Sequence, residues 1–133
     1  LRGHYILYGH NMKNGSMFSS LTSYKQQSYY DAFPELTLYT PSGDYTIALF
    51  AGIIADGSYE FARFRFKSDA DFLRYVEDLR KQSTFDSETI IVAGDRIIAL
   101  STCSYEFNNA RYAIFGKLIP ITPTSAPAQA QPI

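Results

Sequence analysis

One thiol and one permanent cation lie on either side of a short polar segment late in the sequence. Cys103 is the only cysteine of the chain, and Arg111 follows it across "SYEFNNA". Attack on a carbonyl requires thiolate, whose fraction rises when an imidazolium or guanidinium lies close. A hairpin would bring residues 103 and 111 side by side, with the guanidinium orienting a carbonyl and stabilising its oxyanion. The spacing permits this pairing without requiring it.

Each candidate residue also has an ordinary structural explanation. Cys103 closes the apolar stretch "RIIALSTC", where a free cysteine packs as a small hydrophobe. Arg111 fits a solvated arginine at a strand edge equally well. His10 lies where a predicted strand meets a loop containing Gly and Asn, and it fits either a surface imidazole or the general acid for a leaving amine. The residue types alone leave catalysis and packing open, and we interpret the other histidine, His4, as structural.

Composition narrows the class of protein. The chain has 133 residues, the length of one domain, and a formal charge of −1, which argues against a nucleic-acid partner. A single cysteine excludes an internal disulfide, and neither a metal-ligand pattern nor a Gly-rich phosphate loop is present, so we expect no cofactor and no metal. No run reaches the roughly 20 apolar residues of a membrane-spanning helix. The chain opens as if inside a strand, from which we expect that an N-terminal portion is missing.

Alternating apolar residues and 16% aromatic residues predict a mainly β, mostly antiparallel domain. A helix is predicted over Asp69–Lys81, with Ser68 and Asp71 as a capping box. Short helical pieces are expected around residues 18–24 and before Pro34. Strands are predicted in seven stretches: "HYILYGH", "ELTLYT", "DYTIALFAGII", "YEFARFRF", "TIIVAG", "RIIALSTC" and "RYAIFGKLIPI".

Three blocks in this order resemble the class B sortases, the cysteine transpeptidases of Gram-positive cell surfaces. The blocks are "YILYGHNMKNGSMF", "SYYDAFPELTLYTPSGDYTIALFA" and "IIALSTCSYEFNNARYAIFGKL". The Leu-Ser-Thr-Cys stretch looks like the family's TLxTC signature with Ala99 in place of its leading Thr, and Gly-His-Asn-Met is similar to the block that holds the catalytic histidine. The resemblance spans residues 4 to about 118 and favours the catalytic interpretation of Cys103.

The resemblance implies a closed eight-stranded sortase-type β-barrel with a helix inserted between two strands. Here the first strands and the N-terminal helical segment are expected to be missing, so that residues 1–121 form an N-terminally truncated catalytic domain. The Pro-, Ala- and Gln-rich stretch 122–133 is predicted to be a disordered tail. Cys103, His10 and Arg111 would lie at one end of a groove, and Ser101 and Thr102 would line it.

The chemistry that the resemblance implies is that of a thiol protease that passes its acyl group to an amine. Cys103 would attack the Thr carbonyl of a sorting signal resembling NPxTN or NPxTG, and His10 would protonate the departing amine. The acceptor would be the amine of a peptidoglycan precursor or a pilin lysine, at the extracellular face of the cytoplasmic membrane to which the parent protein is anchored. Two alternatives stay open: a truncated or degenerate sortase domain that binds sorting peptides without turnover, and a cysteine hydrolase that passes the acyl group to water.

Overall fold

The computed structural model describes residues 5–9, 17–41, 43–56, 65–103 and 110–121. Within these ranges the chain forms five strands, one 3₁₀ helix and two α-helices. In chain order the elements are β1 (Tyr5–Gly9), the 3₁₀ helix (Met17–Lys25), α1 (Gln27–Ala32), β2 (Glu35–Thr40), β3 (Gly43–Asp56), α2 (Asp69–Gln82), β4 (Ile97–Cys103) and β5 (Ala110–Pro120).

All five strands belong to one sheet, in the order β1-β4-β5-β3-β2. β1 runs parallel to β4, whereas the β4–β5, β5–β3 and β3–β2 pairs are antiparallel. A parallel pair needs a long crossover connection, which the chain between β1 and β4 supplies. As a result, the carboxyl end of β4 lies between the carboxyl end of β1 and the start of β5.

Helix α2 forms where its sequence signals agree. The Ser68 hydroxyl accepts a hydrogen bond from the Asp71 amide at 3.1 Å, which caps the first turn. Acidic residues occupy the first turn and basic residues the last, as the helix dipole favours. The Asp71 carboxylate accepts from the Lys67 amide at 3.0 Å, one residue earlier than in a standard capping box. The apolar stripe of Phe72, Val76 and Leu79 is buried against the sheet.

The sheet buries a core on each face. We call the side that packs against α2 the α2 face; its buried residues include Phe50, Ile53, Ala55, Ile97, Ala99, Ala113 and Phe115. The opposite face packs against the 3₁₀ helix, α1 and Phe85; its buried residues include Ile47, Leu49, Ile98, Leu100, Tyr112 and Ile114. Because side chains alternate along a strand, neighbouring residues of β4 and β5 belong to opposite cores.

A bulge in β3 organises the segment that follows α2. The register between β3 and β5 shifts between Leu49 and Ala51, and β2 pairs with β3 only as far as Ala48. Beyond that point the free edge of β3 bonds to the segment 83–89: the Ser83 hydroxyl accepts from the Gly52 amide at 3.0 Å, and the Thr84 amide donates to the Gly52 carbonyl at 2.8 Å. The Gly52 amide and carbonyl at this strand edge are therefore paired without a further strand.

Four groups beside the bulge form what we call the bulge network: the Leu49 carbonyl and the hydroxyls of Tyr30, Ser87 and Thr89. The carbonyl accepts from Ser87 at 3.1 Å and from Thr89 at 2.9 Å, while the Tyr30 hydroxyl lies 2.7 Å from that of Ser87. A carbonyl oxygen has two lone pairs. Tyr30 therefore donates mainly to Ser87, and its 3.3 Å approach to the Leu49 carbonyl is secondary.

The mainly β class and the helix inserted between two strands are confirmed, and helix α2 begins at the predicted residue. The described residues form an open five-stranded sheet, so closure into a barrel stays a prediction. The predicted strand "TIIVAG" is wrong: residues 89–94 contain no strand, and Ile90 is 72% exposed. Hydroxyl groups and the Arg80 guanidinium, which donates to the carbonyls of Ser87 and Thr89, hold the start of this region in place of a strand ladder.

Two other expectations cannot be compared with the structure. Most of "YEFARFRF" and the whole tail 122–133 lie outside the described residues.

Candidate active site at the carboxyl end of β4

Cys103 and Arg111 are directly opposite each other in the sheet. Cys103 is the last residue of β4, and its Cα is paired in register with that of Arg111, the second residue of β5. On its other side Arg111 is paired with Ala55 of β3. Opposite residues of an antiparallel pair belong to the same face, with Cβ atoms about 4.5–5.5 Å apart. The hairpin that the sequence only permitted is formed.

Register places this pair on the α2 face, beside small side chains. Ser101 lies two residues before Cys103 on β4 and is paired with Ala113 of β5. Ala113 and Ala55 are both buried. The predicted nucleophile and the guanidinium are therefore next to small, buried residues on this face of the sheet.

The two residues directly before Cys103 carry buried hydroxyls. Ser101 is 0% exposed and Thr102 is 1% exposed, and neither hydroxyl makes a hydrogen bond within the part of the chain that the structure describes. Burying a hydroxyl without a partner costs about 1–3 kcal/mol in mutational data. Unpaired buried polar groups are rare in native structures and concentrate where another role explains them. The two residues belong to opposite faces, Ser101 to the α2 face and Thr102 to the face of Tyr112.

The predicted general acid, His10, lies outside the described residues. The residue bonded to it, Gly9, ends β1 and is paired with Thr102, the residue before Cys103. Of the five predicted site residues, the structure assembles Ser101, Thr102, Cys103 and Arg111 in one corner of the sheet.

Tyr112, for which the motifs predict no role, follows Arg111 and is paired in register with Thr102. Its side chain is fully buried, and its hydroxyl lies 2.7 Å from that of Thr84. No local signal distinguishes this tyrosine from the other aromatic strand residues, because its partners come from distant segments.

A second buried phenol lies close by, in the 3₁₀ helix. Burial, and to a smaller extent the neighbouring Tyr29 and Tyr30, raises the pKa of Tyr24 far above its ordinary value. Its hydroxyl therefore stays neutral and donates to the Phe33 carbonyl at 2.8 Å.

A cavity of about 430 Å³ between α2 and residues 87–91 is separate from this corner. Its lining includes Ile90, whose carbonyl accepts from the Lys117 ammonium at 2.8 Å. Lys117 is paired with Ile97 at the start of β4, the opposite end from Cys103. The cavity is therefore not part of the candidate active site.

Comparison with known proteins supplies the class. No family model matches the chain. Sortase B of Listeria monocytogenes is 34% identical over 116 residues, which are 86% of this chain and 47% of that protein. A solved Staphylococcus aureus sortase B–substrate complex aligns with a TM-score of 0.81 and 27% identity over 90% of this chain and 57% of that chain. Clostridium perfringens sortase B gives a TM-score of 0.79 and 28% identity over 89% of this chain and 67% of that chain.

The five-stranded sheet and these likenesses define a sortase fold. These likenesses cover most of this chain and support the resemblance to class B sortases that its three sequence blocks predicted. It spans about half the length of the curated relatives that it matches. Within the described ranges, no helix is both long enough and apolar enough to cross a membrane.

Proposed function

We propose that this chain carries the catalytic residues of a cysteine transpeptidase that acts on sorting signals of secreted surface proteins. The observation that carries the proposal is the register at the end of β4, which sets Cys103 opposite Arg111 and Thr102 opposite Gly9. Likeness to class B sortases supports it, as does the fact that one matched structure is a sortase B–substrate complex.

The first half of the reaction forms a thioester. The Cys103 thiolate attacks the carbonyl carbon of the Thr in a signal resembling NPxTN or NPxTG. The Arg111 guanidinium, which stays protonated, orients that carbonyl and stabilises the oxyanion. When the intermediate collapses, the C–N bond breaks and the departing nitrogen takes a proton from the His10 imidazolium.

The second half transfers the acyl group. An incoming amine attacks the thioester carbonyl and loses a proton to the now neutral His10. The C–S bond then breaks and the Cys103 thiolate returns. The acceptor in this proposal is the amine of a peptidoglycan precursor or a pilin lysine, at the Gram-positive cell surface. The mechanism uses no metal and no cofactor.

Ser101 and Thr102 have a less direct part in the proposal. The Ser101 and Thr102 hydroxyls lack hydrogen-bond partners among the described residues. Ser101 shares a face of the sheet with Cys103 and Arg111, which supports a role in substrate binding, whereas Thr102 lies on the face of Tyr112 and its role rests on the resemblance alone. Both are fully buried, so contact with a peptide requires the residues that cover them to move aside.

Intact-mass measurement tests the proposal. The protein is incubated with an NPxTN-type peptide and no amine, and we expect a mass gain that maps to Cys103 and disappears when an amine acceptor is added. Because Cys103 is the only cysteine, a thiol adduct has one possible position. Cys103→Ala is the matched control and is expected to show no adduct.

The other outcomes separate the alternatives. Release of the acyl group at the same rate with and without amine would identify a hydrolase. Peptide binding without an adduct would identify a binding domain without turnover. An adduct on Cys103→Ala would contradict the assignment of the nucleophile.

A further inference from the structure

We infer that Tyr112 is a positioning residue for the Cys103–Arg111 pair. Its side chain, anchored on the opposite face of the sheet, holds the start of β5 where the guanidinium can act on the thiol. The inference rests on the proposed function, in which Arg111 works beside Cys103, and it adds a residue that neither the motifs nor the proposed mechanism includes.

The first observation is the donor pattern around the Tyr112 hydroxyl. The Thr84 hydroxyl lies 2.7 Å from it and also donates to the Tyr24 carbonyl at 3.1 Å. A threonine hydroxyl has one hydrogen, which the carbonyl takes. Tyr112 therefore donates to Thr84, and this chain of hydrogen bonds links β5 to the segment after α2 and to the 3₁₀ helix.

The second observation is the space that the ring occupies. Gly52 of β3 lies under the Tyr112 hydroxyl, and a Cβ added there would collide with that hydroxyl and would lie 2.8 Å from the Phe85 ring. Lys25 of the 3₁₀ helix lies over the Tyr112 ring, with its ammonium 5.6 Å from the centroid. The phenol is thus enclosed by three separate segments, and its position is strongly determined.

The third observation is where Tyr112 lies along the sheet. It is bonded to Arg111 and paired with Thr102, which is bonded to Cys103. Since neighbouring strand residues belong to opposite faces, an anchor at residue 112 restrains the backbone of residue 111 without touching the substrate side. The Cys103–Arg111 pair is the last pair in register at the carboxyl end of β4, so residue 112 is the nearest position on β5 at which the opposite face can restrain it.

The pH dependence of Cys103 alkylation by iodoacetamide tests the inference, because it reports thiolate and needs no turnover. We expect the wild-type midpoint to lie below that of a free thiol, about 8.5. Arg111→Met should raise it, and Tyr112→Phe should raise it in the same direction by roughly half a unit, which is about threefold less thiolate at neutral pH.

Tyr30→Phe is the matched control. It also removes a buried tyrosine hydroxyl from the same core, with a serine hydroxyl 2.7 Å away, but Tyr30 belongs to the bulge network and not to β5. A similar loss of stability with no shift of the thiol midpoint is expected. Equal shifts in Tyr30→Phe and Tyr112→Phe would overturn the inference, because loss of stability alone would then explain both.

A double substitution shows whether Tyr112 acts through Arg111. In the Arg111→Met background, Tyr112→Phe should not shift the midpoint further, whereas independent effects would add. Additive shifts would overturn the inference. If Tyr112→Phe fails to fold, Thr84→Val removes the hydroxyl that Tyr112 binds and keeps the phenol, and it should produce the same shift.

Failure of the positioning role of Tyr112 and failure of the proposed function give different experimental results. Wild-type protein that forms no peptide thioester but shows the expected alkylation shifts would retain the positioning role and reject the transpeptidase. If wild-type protein forms the thioester but the alkylation midpoint of Cys103 is unchanged in Tyr112→Phe and Thr84→Val, the transpeptidase is retained and the positioning role of Tyr112 is rejected. The inference would be overturned if Cys103 does not react with iodoacetamide in the folded protein. It would also be overturned if Arg111→Met does not change the pH midpoint of Cys103 alkylation.

Discussion

Two polar regions of the same sheet differ in whether their hydroxyl groups find hydrogen-bond partners. In the bulge network, the hydroxyls of Tyr30, Ser87 and Thr89 all find partners around the Leu49 carbonyl. At the carboxyl end of β4, the hydroxyls of Ser101 and Thr102 are at least as deeply buried and find none among the described residues. The bulge network is therefore typical of a region that stabilises the fold, in which buried polar groups are hydrogen-bonded.

The difference separates stability from function within one small domain. Natural proteins depart from complete polar satisfaction mainly at functional or strained sites. The unsatisfied hydroxyls here directly precede the predicted nucleophile, whereas the satisfied ones attach an irregular segment to a bulge. Substitutions should therefore affect turnover at the end of β4 and the free energy of unfolding at the bulge.

The largest effect is expected from Arg111→Lys. Lysine keeps the charge but lacks the planar fork that orients a carbonyl. Thioester formation with an NPxTN-type peptide should fall by about a hundredfold or more, in the range seen when an oxyanion donor is removed. The melting temperature should change little. Arg74→Lys, the same change at an exposed position of α2, is the control, and equal rates for the two variants would contradict the role of Arg111.

Gly52→Ala should be the most destabilising change at the bulge. Its Cβ would collide with the buried Tyr112 hydroxyl and the Phe85 ring, and overpacking of this kind costs about 1–3 kcal/mol. Urea denaturation measures the loss.

Gly116→Ala is the companion to this variant, because its Cβ would lie 2.9 Å from the Ala48 carbonyl oxygen, away from Tyr112. Both variants should lose stability, but only Gly52→Ala should shift the alkylation midpoint of Cys103. If Gly116→Ala shifts the alkylation midpoint of Cys103 by the same amount, the shift in Gly52→Ala would reflect a general loss of stability and not the displacement of Tyr112.

A pair of serine substitutions compares the two regions directly. Ser87→Ala removes a donor to the Leu49 carbonyl and leaves the Tyr30 hydroxyl without its main partner, which should cost about 1–2 kcal/mol. Ser101→Ala removes a hydroxyl that has no hydrogen-bond partner among the described residues, so the free energy of unfolding should change by less than about 0.5 kcal/mol. Equal losses in urea denaturation would show that Ser101 is bonded within the fold.

Thr102→Val is expected to have the smallest effect, and of the opposite sign. Valine keeps the shape and removes the cost of a buried unpaired hydroxyl, so stability should stay constant or rise by up to about 1 kcal/mol. Chemical denaturation of the two proteins side by side gives the sign. A clear loss of stability would mean that the Thr102 hydroxyl has a partner in the folded chain.

Much of the local structure was predictable because its causes are local. The cap at Ser68, the apolar stripe of α2 and the alternation of β4 and β5 depend on residues a few positions apart, and all three predictions are confirmed. The predicted strand at residues 89–94 failed for a non-local reason. Its run of β-branched residues is typical of a strand, but the hydrogen bonds of its region go to Arg80 and to the β3 bulge.

The candidate site divides in the same way. The spacing of Cys103 and Arg111 predicted a possible hairpin, and the structure forms it. The roles of His10, Cys103 and Arg111 stay predictions. Tyr112 could not be singled out from the sequence, because Thr84, Gly52 and Lys25 approach it only in the folded chain.

Most of the helices and strands, the resemblance to class B sortases and the residue types that the chemistry would need could be predicted from the sequence, because they follow from short periodicities and motifs. The tertiary structure decided which residues meet. The parallel pairing of β1 with β4 joins segments from the two ends of the chain and sets Gly9 beside Thr102. Such pairings depend on the burial of both sheet faces at once, and a shift of one residue would move Cys103 to the other face. That global condition is not contained in any short stretch of sequence.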